Sequence, residues 1–344
     1  MIYIIKKMSN EKNNNINYFS NEKNNIIDSF EKASIIHKQV RQFIKPYLKP
    51  GIRLVDIAQL IEYKTRLLSE DLCNNNNNYC SINYGIGFPS CLSLNNVAAH
   101  CHPKDNNDIQ IYKKEDVLKI DFGTEINGWI IDSAFTITEN PIYYDLLKSV
   151  KEGVYEGIKT SGVDVNINDW GEHLQELVES FETEYNGKRY PIKVINNLSG
   201  HSIGKNGVVH GDIRLSPFKT DTNLGKFKEG PYAIEILAVT SLNPKYSFNL
   251  PTKTYEEGLV TLYSLNKHHK YNNYFPFYKK FKYLPFTNRY LTDFGLSELY
   301  NIDKKYINHH KPLLMPESCN VSHFEHTLYI DENTKKIFSI SNDY

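Results

Sequence analysis

Apolar residues recur along this chain with two periods, and the switching between them lays out the fold. From Ile26 to Tyr47 they fall at helical spacing: Ile27, Phe30, Ile36, Val40, Phe43, Ile44 and Tyr47. A second helix follows, with Asp56 as its cap and Ile57, Leu60, Ile61 and Leu67 turned inward. The pattern then becomes extended, with a strand near Ser81 to Gly87 and a hairpin from about Val117 to Thr138. Pro141 opens a third helix with Leu146, Leu147, Val150, Val154 and Ile158 on one face, and a fourth carries Trp170, Leu174, Leu177 and Phe181. The turn Lys159 to Val165 repeats Leu48 to Leu54 at an offset of 111 residues when Gly162 is aligned with Gly51. Helix, glycine turn, helix and strands thus occur twice. That order predicts two similar α/β halves with a pocket at their seam.

The hairpin carries the first candidate chemistry. Asn127-Gly128 separates two apolar, β-branched runs and is the strongest short hairpin signal. With those two residues as the loop, Ile126 faces Trp129 and Gly123 faces Asp132. Asp121 is then the diagonal neighbour of Asp132 on the same face, about 7–8 Å away at Cα. Two carboxylates on an apolar hairpin are costly to desolvate, so a positive partner is expected between them. A pair of divalent ions about 3.5–4 Å apart fits that gap.

Beyond Thr138, polar residues gather where ligands would be wanted. Asn197 to Gly204 places His201 between glycines, and Tyr232 to Val239 is an apolar strand broken only by Glu235. Phe324-Glu325-His326 repeats the device. A lone glutamate within an apolar strand is rare unless paired or metal-bound. Two aspartates, a histidine and two glutamates form a hard, oxygen-rich set, favouring Mn²⁺, Fe²⁺ or Co²⁺, with Zn²⁺ also accommodated. Four carboxylates balance two divalent cations.

Composition narrows the class. At 344 residues with 40% hydrophobic content the chain can bury a large core. Its net charge is zero, which argues against a nucleic-acid or polybasic membrane partner. No apolar run approaches the roughly 18 residues of a membrane span. Five cysteines without zinc-ligand spacing read as free thiols in a reducing cytosol. Residues 1–25 are Asn/Lys-rich and read as a disordered tail, and Asn74 to Asn78 as a low-complexity loop. Residues from about 250 to 312 are rich in Tyr, Phe, Lys, Asn and His and read as a mostly helical insertion into the domain spanning 26–344.

The chain resembles the methionine aminopeptidases, specifically type 2. The resemblance rests on Gly87-Phe88-Pro89, Ser93-Leu94-Asn95-Asn96 through Ala98-Ala99-His100, the Asp121–Asp132 hairpin, Asn197 to Gly204, Ala233-Ile234-Glu235 and Phe324-Glu325-His326-Thr327. The insertion and the closing Asp343-Tyr344 also fit. It implies an α+β "pita-bread" fold around a dinuclear metal site. It implies that Asp121 chelates one ion, Asp132 and Glu325 bridge both, and His201 and Glu235 complete the other. His100 and His210 match the family's two non-ligand active-site histidines. His100 would hold the scissile amide and His210 would stabilise the oxyanion, while Glu235 would shuttle the proton. Phe88 would line the methionine pocket, with the insertion closing it, and His310 aligns with a family pocket tyrosine.

The implied reaction removes the initiator methionine from nascent chains whose second residue is small, through hydroxide formed between the two ions. The expected setting is a cytoplasmic monomer working on nascent N-termini near the ribosome. Cys101-His102 replace the residues usual after His100, and three further features depart from the family. Ile236-Leu237-Ala238 stand where small and polar residues are usual, Lys253-Thr254 where a histidine precedes the tyrosine, and Cys91 where glycine is usual. Two rival readings share the fold. A non-catalytic binding protein is disfavoured because all the candidate ligands are present. A proline-directed peptidase is disfavoured because too few residues precede His100 for its larger N-terminal domain.

Overall fold

The computed structural model describes residues 2–75, 81–83, 85–246, 249–268 and 276–344, with side chains from Glu22 onward except those of residues 75, 276, 293, 294 and 300. The first half comprises α1 (Ile2–Ile44), α2 (Leu54–Asn75), β1 (Ile86–Leu94), β2 (Val97–Ala99), β3 (Val117–Ile126) and β4 (Trp129–Thr138). The second comprises α3 (Tyr144–Thr160), α4 (Ile167–Glu179), the hairpin β5 (Glu182–Tyr185) and β6 (Lys188–Pro191), β7 (Lys193–Val194), β8 (Gly200–Ser202), β9 (Arg214–Leu215) and β10 (Gly230–Ser241). The insertion supplies β11 (Tyr255–Glu256), β12 (Leu262–Leu265), α5 (Pro276–Phe281), β13 (Phe286–Thr287), α6 (Asp293–Asn301) and β14 (Ile307–His310). The chain closes with β15 (Leu313–Leu314), β16 (Cys319–Ile330) and β17 (Lys335–Ile337).

Each half packs its helices on one face of an antiparallel sheet. Phe30, Val40, Ile57, Ile61 and Phe122 belong to the core between α1, α2 and the sheet β1-β3-β4. Val150, Val154, Trp170, Leu174 and Ile234 belong to the core beneath the sheet β17-β16-β10-β8-β9. The helix faces named by the apolar spacing are therefore the buried ones, because only that stripe can leave water. Leu67 at 38% and Tyr47 at 46% exposed are exceptions, and Tyr47 lies in a 3₁₀ turn beyond α1.

The internal repeat is real, but its offset is 113 residues, not 111. Gly51 adopts a left-handed backbone (φ 98°), and its structural counterpart is Asp164 (φ 66°), not Gly162. The two turns make the same three hydrogen bonds. Gly51 N donates to Tyr112 O, Tyr112 N to Ile52 O and Leu54 N to Gln110 O; Asp164 N donates to Phe227 O, Phe227 N to Val165 O and Ile167 N to Gly225 O. Asp tolerates the left-handed region better than most residues, so the glycine moved out of alignment while the conformation stayed.

Other expectations shift. The second helix begins at Leu54, ahead of Asp56, which sits in its first turn paired with Arg53. The strand expected at Ser81 to Gly87 runs instead from Ile86 to Leu94. The third helix proper starts at Tyr144, after a single 3₁₀ turn at Pro141–Tyr143. Helix α1 begins at Ile2, inside the stretch read as a disordered tail; residues 2–44 hold neither Gly nor Pro, so no breaker separates the tail from the helix. Asn74 and Asn75 close α2, and the rest of the Asn74 to Asn78 stretch lies outside the described residues.

The insertion is not mostly helical. Its centre is the three-stranded sheet β13-β12-β14, flanked by α5 and α6. Its aromatic composition builds a core of its own: Phe281 stacks on Phe286 at 4.6 Å and Phe277 on Phe286 at 5.5 Å. Arg289 docks this unit on α2 through Glu62, with both side chains almost fully buried and contacts of 2.5 and 3.1 Å.

The two main sheets meet at β4 and β16 through side chains rather than a backbone ladder. Asp132 N donates to Thr327 Oγ1, and Ser133 Oγ donates to Glu325 O. Thr136 Oγ1 donates to His323 O and accepts from His323 N. Threonine hydroxyls can act as donor and acceptor at once, so they splice strands whose registers do not allow direct pairing.

Candidate metal centre and active site

The hairpin β3–β4 has the register that the Asn127-Gly128 signal predicts: Ile126 pairs with Trp129 and Gly123 with Asp132. Asn127 (φ 54°) and Gly128 (φ 82°) both occupy the left-handed region that a two-residue primed turn needs. Asp121 and Asp132 accordingly share a face, and both line the central cavity. On the other sheet His201 pairs with Ala233, two residues from Glu235, and Glu235 pairs with Glu325. Period-2 alternation aims these side chains at the same cavity, and all five expected ligands line it.

The electrostatics ask for positive charge. Burial raises the Asp121 carboxyl well above its ordinary range, and Asp132 and Glu235 add to the effect. Glu325 is raised likewise, by burial first and then by Asp132, Glu235 and Asp121. Asp132 is pushed up to about 6 by burial, although His201 pulls it back. Asp121 Oδ1 is buried without a hydrogen-bond partner. Donor atoms of Asp132, His201 and Glu325 lie within 4.8 Å of one another. An orphaned buried carboxylate oxygen and a set of crowded carboxylates with an imidazole are what divalent cations relieve, so the donor set fits such ions.

Three further histidines surround this cluster. The His210 ring lies 4.1 Å from that of His201, whose proximity, with burial, holds His210 well below the usual imidazole range. Burial also lowers His100, which sits at φ 61° just beyond β2. Its ring meets that of His310 edge-on at 5.7 Å. His310 comes from the insertion, is held by Ser264 Oγ at 2.9 Å, and is pushed down to about 4 by burial. All three are thus neutral near pH 7. The insertion contributes Leu262, Leu265, Tyr283 and Pro285 to the cavity wall, which Phe88 also lines. The cavity has a volume of about 570 Å³. Lys253 is absent from the wall, whereas Leu237 and Cys91 are part of it.

Two further histidines matter: His102, a departure from the family in sequence with no role assigned to it, and His323, which escaped the sequence reading. His102 is buried, reaches Pro89 O at 3.2 Å and lies 3.2 Å from His100 O, so it braces the left-handed backbone of His100. His323 lies 2.9 Å from Glu235 and 3.7 Å from Glu325. Alternation puts it on the face of Glu325, two residues away, but its place beside Glu235 follows from the pairing of β16 with β10.

The comparisons agree with this geometry. The signature of metallopeptidase family M24 matches residues 28–247. Methionine aminopeptidase 2 of Clavispora lusitaniae is 34% identical over 331 residues, covering 92% of this chain and 72% of that protein. Among solved structures, a thermophilic Arx1 superposes with a TM-score of 0.70 at 15% identity, covering 93% of this chain and 92% of that one. A methionine aminopeptidase from Rickettsia prowazekii superposes with a TM-score of 0.57 at 16% identity, covering 93% and 98%. These last two establish the fold alone, and it is the pita-bread fold that the two packed halves describe. With a donor set suited to divalent ions at the seam of those halves, the chain belongs to metallopeptidase family M24 and, within it, to the methionine aminopeptidases of type 2.

Proposed function

We propose that this protein removes the initiator methionine from polypeptides whose second residue is small. The observation that carries the reading is the convergence of Asp121, Asp132, His201, Glu235 and Glu325 on one cavity flanked by His100 and His210. Two divalent ions, of the class Mn²⁺, Fe²⁺ or Co²⁺, fit the four carboxylates; such ions supply Lewis acidity and a water acidic enough to ionise near neutral pH. Asp121 would hold one ion, Asp132 and Glu325 would lie between both, and His201 with Glu235 would hold the other.

The protein's own groups then do the positioning. His210, kept neutral by His201 and burial, offers an N–H to the carbonyl oxygen as its charge develops. His100, also neutral, holds the scissile amide. Glu235 relays the proton from water to the leaving amine. The methionine side chain packs against Phe88, Val209, Leu262 and Leu265, with His310 as a wall polar at its edge.

The setting we propose is the cytoplasm, with a monomer acting on nascent N-termini close to the ribosome and with neither nucleic acid nor membrane as partner. A net charge of zero argues against a nucleic-acid or polybasic membrane partner, and no helix among the described residues is long and apolar enough to cross a membrane. The test is cleavage of Met-Ala-Ser, with Mn²⁺ or Co²⁺ added and metal content measured on the same sample. Release of methionine is expected, with little activity on Xaa-Pro peptides. A metal-loaded protein that cleaves neither substrate would overturn the enzyme reading in favour of a binding protein on the same fold.

A further inference from the structure

His323 is a buried imidazole that the proposed chemistry does not use. Its side chain is 3% exposed. It stands on β16 two residues before Glu325, hence on the same face, and its backbone is pinned on both sides by the Thr136 hydroxyl, at 2.7 and 2.8 Å. The ring therefore has a fixed origin. Its Nε2 is 2.9 Å from Glu235 Oε2 and 3.7 Å from Glu325 Oε2. Despite that closeness Nε2 has no hydrogen-bond partner. The nitrogen and the two carboxylates converge without bonding to each other, and their donor atoms lie within 4.8 Å of one another.

Such convergence is the geometry of ligands around an ion. Two donors, each about 2.1 Å from a shared cation, stand about 3 Å apart at a right angle and about 3.6 Å apart at 120°. The His323 distances match both values, and His201 Nε2 stands 3.6 Å from Asp132 Oδ2 on the other side of Glu325. The cluster thus divides into two triads sharing Glu325: Asp132, His201 and Glu325, and Glu235, His323 and Glu325.

We propose that His323 is a metal ligand, so that this centre holds its ions with two imidazoles instead of one. The inference rests on the metal site of the proposed function but goes beyond its five ligands. It carries a consequence for metal choice. An added imidazole in place of oxygen or water favours Co²⁺, Fe²⁺ and Zn²⁺ over Mn²⁺. An outer-sphere histidine would instead donate its N–H to Glu235, and the observed approach makes no such bond.

The test is to strip the full-length protein of metal, reload it with Co²⁺ and count coordinated imidazoles by X-ray absorption. Two per chain are expected in the wild type and one in His323→Gln, with a change in the visible cobalt bands and at least a tenfold loss of Co²⁺ affinity by calorimetry. Mn²⁺ affinity should fall less. A single imidazole in the wild type, or an unchanged count and spectrum in His323→Gln, would overturn the assignment. Should His323→Gln fail to fold, His323→Asn takes its place, and the wild-type count still decides. Peptide cleavage with one imidazole sinks this inference alone, whereas two imidazoles without cleavage sink the proposed activity alone.

Discussion

Thr327 Oγ1 accepts from Asp132 N at 2.8 Å and donates to Asp132 O at 2.6 Å, so one hydroxyl splices the two halves at the residue expected to bridge the ions. This contact sets the spacing between Asp132 on β4 and Glu325 on β16. Thr327→Val keeps the shape and removes both bonds, leaving a buried N–H and C=O unpaired at about 1–3 kcal/mol each. A lower urea midpoint and a fall in metal affinity are expected together. An unchanged midpoint would show that the splice does not carry the seam.

Asp132→Asn should abolish metal binding and peptidase activity while leaving the circular dichroism spectrum intact. The metal-free variant should be no less stable than the metal-free wild type, because the change removes one charge from a crowded, buried set of carboxylates. Full activity in this variant would remove Asp132 from the ligand set.

Metal binding should strengthen as pH rises from about 5 to 7. Asp132 is held up to about 6 and Asp121 and Glu325 are also raised, so below that range protons occupy the sites that ions need. In the metal-free fold these ionisations are a penalty, absent below the ordinary carboxylate range near 3.8 and complete above the raised values. Ions relieve the penalty, so metal should raise the melting temperature more at pH 7.5 than at pH 5. Calorimetry in buffers of different ionisation enthalpy should also register proton release at pH 5.5. Equal stabilisation at both pH values would contradict the assignment.

The buried pair Arg289–Glu62 should matter most when only one partner is removed. Arg289→Met alone leaves Glu62 as a buried, unpaired charge, at a cost of about 3–5 kcal/mol. Combining it with Glu62→Leu should recover most of that loss. Because this pair docks the insertion that lines the cavity, the single variant should raise KM for methionyl peptides more than it lowers kcat. A single variant as stable as the wild type would show that the insertion is held elsewhere.

Much of the centre was legible because it depends on local rules. Asn127-Gly128 dictates a two-residue turn, the turn dictates the register, and the register puts Asp121 and Asp132 on one face. Glu235 and Glu325 stood out as charges inside apolar strands. The helices were legible from apolar spacing, though not their first residues, since Arg53 and Asp56 pair with each other at the start of α2.

What escaped depends on partners distant in sequence. The repeat was off by two because the left-handed conformation passed from a glycine to Asp164, and a conformation leaves a weaker mark than a residue type. The insertion's sheet was hidden because its strands are only two to four residues long and pair across long gaps, as Leu262 does with Thr287 and His310. Taken alone, then, the sequence determined the alternation, the turn and the hard donor atoms. Only the tertiary structure decided that Thr136 and Thr327 splice two sheets, that His310 meets His100, and that His323 arrives beside Glu235. Those are contacts between segments remote along the chain, where packing and not periodicity selects the neighbour.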